Sequence, residues 1–92
     1  MGSNLPSGGY LNELGSKLTG QLLIGRRIGE VIRARRIALG MTQNSLAEIS
    51  GHHLNYIGYL ERGERCPNVA TLERIADALG TKISDVLREA GY

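Results

Sequence analysis

The side chains able to do chemistry gather around one short stretch. Leu54, Asn55, Gly58, Tyr59 and Arg62 stand at helical intervals, so an apolar contact, an amide, a phenol and a guanidinium share one helix face. His52 and His53 precede them and Cys66 follows. Imidazoles and a thiol can ligate a metal. Adjacent histidines do not match structural zinc spacing, however, and no fourth ligand is evident, so no metal is expected. The thiol has no evident activating partner. Gly15-Ser16-Lys17 lacks the glycine-rich loop that cradles a phosphate, and the chain holds no G-x-x-x-x-G-K, H-E-x-x-H or G-x-S-x-G. The expectation is a protein that is not an enzyme and has no cofactor. The mixed face at 54–62 is then the candidate site, and it must be held in place by its neighbours.

Those neighbours read as short helices. The first in the domain runs from Arg26 to Ala38, with Ile28, Val31, Ile32 and the following Leu39 on one face and Gly40 as its stop. Thr42 reads as the N-cap of a second helix, Gln43 to Ser50, with Leu46, Ala47 and Ile49 inward and Gly51 closing it. The third runs from Leu54 to Glu61, with Ile57 and Leu60 inward. Asn68 caps a fourth, Val69 to Leu79, with Leu72, Ile75, Ala76 and Leu79 inward and Gly80 at its end. Ser84 is expected to cap a last helix, Asp85 to Glu89, with Ile83, Val86 and Leu87 on the core side. No alternating strand run of useful length is present, so the fold expected is all-α with five short helices.

The second and third helices are separated by only three residues. So short a connection forbids an antiparallel pair and forces a crossing of roughly 90–120°, a helix-turn-helix. Ile57 and Leu60 then face Leu46, and the face carrying Leu54, Asn55, Gly58, Tyr59 and Arg62 has no core role. One free, mixed helix face fits the major groove of DNA.

Composition agrees. The 92 residues suffice for one core, which must be aliphatic, since Phe and Trp are absent and Tyr occurs four times. The net charge of +2 says little alone. Its distribution says more: residues 25–40 carry Arg26, Arg27, Arg33, Arg35 and Arg36 against Glu30, whereas 1–24 are neutral and 41–65 and 66–92 each net −1. Glycines and Pro6 set residues 1–24 apart as an N-terminal arm. Residues 1–9 are expected to be disordered, and 10–23 weakly helical with Leu11, Leu14, Leu18 and Leu22 in register. Residues 25–89 form the domain and 90–92 a tail. No apolar run reaches ~18 residues, so no membrane span is expected. A lone cysteine and the lack of a signal-peptide pattern lead to an expected cytoplasmic, nucleoid-associated location.

The stretches "IALGMTQNSLAEISG" (37–51), "YIGYLERGERCPNVATLERIADALG" (56–80) and "ISDVL" (83–87) resemble the Xre/Cro family of helix-turn-helix regulators. That family includes phage repressors, and the "YIG..ERGER" wording looks most like restriction–modification controller proteins. The resemblance implies a lambda-repressor-like DNA-binding domain acting as a transcriptional regulator, a homodimer on a palindromic operator in double-stranded DNA. It implies base contacts from Leu54, Asn55 and Tyr59. The Asn55 amide suits adenine N6 and N7, Leu54 can pack on a thymine methyl, and Tyr59 can donate to a base or phosphate. It implies DNA-backbone contacts from Gln43, Arg62 and Arg65, the arginines through their planar forks. It also implies a structural ion pair between Arg36 and Glu61.

The chain is too short for a separate dimerisation domain, which makes Val86, Leu87, Tyr92 or the arm leucines the candidates for self-contact. The chain departs from the family at His52-His53, where an apolar residue and a Ser or Thr are usual. His53 is expected to be a poor N-cap, and His52 to fill the apolar slot with its ring. Two histidines there would make DNA affinity pH-dependent, although surface or packing roles fit them too. The competing class is a protein-interaction module of the same fold, an antitoxin or adaptor, for which Leu54 and Tyr59 would serve a partner protein.

Overall fold

A computed structural model describes residues 8–92, with side chains from Leu23 onward. Of the disorder expected at residues 1–9, positions 1–7 lie outside the described residues, as do the side chains of Leu11, Leu14, Leu18 and Leu22, whereas Gly8 and Gly9 open a helix. Five α-helices and no strand are present among those described: α1 (Gly8–Ala38), α2 (Gln43–Ser50), α3 (Leu54–Glu61), α4 (Val69–Ala78) and α5 (Ile83–Glu89). None is long and apolar enough to cross a membrane.

Helix α1 continues N-terminally of the expected Arg26 start. Internal glycines cost a helix about 1 kcal/mol each without forbidding it, and two of them prove to be packing residues. Helix α1 packs on α3 and α5, α2 on α3 and α4, and α4 on α5. The core between them is aliphatic: Ile28, Val31 and Ile32 from α1, Leu46 and Ala47 from α2, Ile57 and Leu60 from α3, Leu72, Ile75 and Ala76 from α4, then Leu79, Val86 and Ala90.

The helix ends follow from local chemistry. Thr42 Oγ1 accepts from the Ser45 N–H at 3.0 Å, and Asn68 Oδ1 from the Thr71 N–H at 2.8 Å, each pairing a donor that the first helical turn leaves open. Gly51 closes α2 in the left-handed region at φ 75°, where a side chain would be strained.

Four expectations are corrected. Leu39 and Ile49 are 56% and 63% exposed. Leu39 lies beyond the last helical residue of α1, where helical phase no longer governs direction. Ser50 occupies the buried place expected of Ile49; its Oγ donates to the Leu46 carbonyl at 2.6 Å, which satisfies the hydroxyl inside the core. Helix α5 begins at Ile83 with Lys82 as N-cap and no side-chain cap bond. Ser84 therefore lies within the helix, and Thr81 Oγ1 instead reaches Asp85 Oδ2 at 3.1 Å. His53 does cap α3: its Nδ1 accepts from the Asn55 N–H at 3.1 Å. An unprotonated imidazole nitrogen is as competent an acceptor as an amide oxygen.

Candidate nucleic-acid interface

The underside of α3 is clamped. Ile57 and Leu60 are wholly buried, and the far end is tied down by a polar network. Arg36 Nε donates to Glu61 Oε2 at 2.6 Å, and Arg36 Nη2 to Glu61 Oε1 at 3.0 Å. Arg36 Nη1 donates to the Met41 carbonyl at 2.8 Å, and Gln43 Nε2 to Glu61 Oε1 at 3.0 Å. One carboxylate thereby joins the end of α1, the start of α2 and the end of α3. The Glu61 side chain is 2% exposed and that of Arg36 12%. The hydrogen bond to Glu61 raises the Arg36 guanidinium above its ordinary pKa against the opposing pull of burial.

Close backbone approach completes the clamp. A Cβ on Gly29 would overlap the Leu60 carbonyl oxygen, and one on Gly25 would meet the Cβ of Cys66 at 3.4 Å. The two glycines, four residues apart on α1, let that helix lie against the end of α3 and the loop behind it. Gly63, at φ 74°, leaves room of only 2.8 Å between such a Cβ and Arg26 Cα. Sequence reasoning missed Gly25 and Gly29; a pair of glycines four residues apart on a helix was the one available signal, and what they pack against is distant in the chain.

The opposite side of α3 is open. Gln43, Leu54, Asn55, Gly58, Tyr59 and Arg62 line one shallow hollow of about 350 Å³. Leu54, Asn55 and Arg62 are exposed, and Tyr59 and Gln43 half-buried. Gln43 is not a freely solvated residue, because its amide is engaged with Glu61. Arg65 does not line the hollow; its guanidinium carbon lies 5.0 Å from the centre of the Tyr59 ring, and that of Arg62 lies 5.4 Å from it. Five of the six expected contact residues thus meet in one concavity, with the sixth against its rim.

The basic segment is partly neutralised. Arg35 pairs with Glu89 of α5 and Arg36 with Glu61, while the Arg27 guanidinium lies over the Tyr92 ring at 5.5 Å. His52 is half-buried with its ring 5.4 Å from that of Tyr56. Its Nε2 is buried without a partner. Burial, aided by the nearby Arg74 charge, lowers its pKa from the ordinary histidine value. Packing against Tyr56 with part of the ring out of water favours the neutral form.

Relatives share this fold. Residues 32–86 match the family model described as helix-turn-helix. The chain is 41% identical over 64 residues to the control protein C.SmaI of Serratia marcescens, an alignment covering 70% of this chain and 76% of that one. The solved structure of the clp gene regulator ClgR from Corynebacterium glutamicum superposes with a TM-score of 0.70 at 34% identity, over 73% of this chain and 87% of that one. The restriction–modification controller protein C.AhdI from Aeromonas hydrophila does so with a TM-score of 0.66 at 31% identity, over 67% and 94%. A family match across most of the domain, a clamped α2–turn–α3 unit and an outward α3 face agree, and the chain belongs to the helix-turn-helix family as an Xre/Cro-like, DNA-binding transcriptional regulator.

Proposed function

We propose that this chain is a sequence-specific regulator that binds an approximate palindrome in double-stranded DNA as a homodimer. Helix α3 enters the major groove, with Asn55, Leu54 and Tyr59 at base edges and Gln43, Arg62 and Arg65 at phosphates. The N-terminal amides of α2 beside Gln43 add donors for a phosphate. The observation that carries this reading is the hollow on the outer face of α3, where an amide, a phenol, a guanidinium and an apolar side chain converge. Its rigid underside supports it, because a reading head held by a buried network loses little entropy on binding.

A single recognition helix buries too little for strong selectivity, and two-fold pairing doubles the contact. Val86 is wholly buried within the monomer and is withdrawn as a dimer contact. Half-buried Leu87 and exposed Tyr92 stay available. Selection of bound duplexes from a random pool tests the proposal. It is expected to return a two-fold site with half-site centres about 34 Å apart. Failure to enrich any duplex, even at low salt, would overturn the proposal and favour an interaction module.

A further inference from the structure

We propose that Glu64 is a specificity-determining positioning residue, which aims the base-reading Tyr59 through Arg62; the inference rests on the reading of α3 as the DNA-contacting helix. The Glu64 carboxylate holds the Arg62 guanidinium by two bonds, Nε to Oε2 at 2.8 Å and Nη2 to Oε1 at 3.3 Å. That guanidinium sits over the Tyr59 ring and against Gly58, where a Cβ would come within 3.0 Å of Arg62 Nη1. The Glu64 N–H also donates to the Tyr59 carbonyl at 2.9 Å. The same residue therefore grips Tyr59 through backbone and, by way of Arg62, through the ring. Arg65, the next residue, brings the second guanidinium to that ring.

The grip has a fixed base. Glu64 follows Gly63, whose backbone abuts Arg26 of α1, so the turn that carries Glu64 is braced against the body. A glutamate beside a phosphate-binding face is otherwise a liability, since it repels the polyanion. The hydrogen bond from Arg62 keeps the carboxyl below its ordinary pKa, so it is charged at neutral pH. Its benefit is a Tyr59 ring ordered before DNA arrives. Ordering one such side chain in advance is worth about two- to tenfold in affinity for the site it fits.

The two effects of Glu64 separate experimentally. Glu64→Gln removes a repulsive charge and so strengthens binding to any duplex. If the charge were all that mattered, affinities for the selected duplex and for random duplex would rise by one factor. Positioning predicts instead that the ratio of the two affinities falls by about two- to tenfold, and that this fall vanishes in a Tyr59→Ala background. In the free full-length chain, the Tyr59 ring proton resonances should move in Glu64→Gln while those of Tyr92 stay in place. An unchanged affinity ratio, or unmoved Tyr59 resonances, overturns the proposal. A wild-type chain without duplex preference would sink the DNA reading itself, and is distinguished from failure of the Glu64 role because it appears before any substitution is made.

Discussion

Two arginine–glutamate pairs stand at the same end of α3, their carboxylates only three residues apart. Arg36–Glu61 and Arg62–Glu64 are both two-bonded, with closest contacts of 2.6 and 2.8 Å. They differ in solvent. The first pair is 12% and 2% exposed and the second 54% and 51%. In the first, separating the charges would leave one stranded in a poorly solvated place, so the pair must persist while the protein is folded. In the second, water and salt can take over either partner at little cost. Similar chemistry thus gives a fastening of the fold on one side of the helix and a contact that the fold can do without on the other. With Nε and Nη2 of Arg62 held by Glu64, Nη1 is left to meet a phosphate.

That contrast predicts a graded series. The largest effect is expected from Glu61→Ala, which orphans the part-buried Arg36 guanidinium and the Gln43 amide. It should destabilise the fold by about 3–5 kcal/mol, read as a shift in the urea midpoint. Next comes Gly29→Ala, which pushes a methyl into the Leu60 carbonyl and should cost about 1–3 kcal/mol through displacement of α1 from α3, set against the ~1 kcal/mol that alanine returns to the helix. A net gain of that ~1 kcal/mol would show that the helices do not approach as closely as described. Asn55→Ala should leave the urea midpoint unmoved and lose about 1–3 kcal/mol of discrimination at a single base pair, measured with single-base variants of the selected duplex. Smallest is Glu64→Gln, which should leave the urea midpoint essentially where it is, because both partners of the pair are exposed. If Glu61→Ala and Glu64→Gln proved equally mild, the distinction between the two pairs would fall.

Much of this was legible in the residues, for reasons that can be named. Thr42 and Asn68 announce helix starts because their side-chain oxygens can reach an open amide, and both do. The three-residue link between α2 and α3 permits little but a sharp crossing, and Ile57 and Leu60 can then face only inward. Ile49 misled because hydrophobicity and position were both right for burial, yet Leu46, Ala47 and Ser50 form an equally good helical stripe. The hydroxyl bond to the Leu46 carbonyl lets Ser50 take the buried place without an unpaired polar group. His53 misled because an imidazole is an uncommon cap, and its competence depends on which nitrogen faces the amide. Beyond their spacing, Gly25 and Gly29 carry no signal of their own in the sequence. Their significance depends on what lies across from them, the end of α3 and the loop at Cys66, and those segments are more than thirty residues away in the chain.

The most direct test of the outward α3 face as a DNA-reading surface is the salt dependence of binding to the selected duplex. Two copies, each placing Arg62 and Arg65 on phosphates, make four charge-neutralising contacts, which gives a slope of log affinity against log salt of about −3.6. Arg65→Ala should flatten that slope by about 1.8 and weaken selected and random duplexes alike. A slope near zero, or no duplex binding even at low salt, would contradict it.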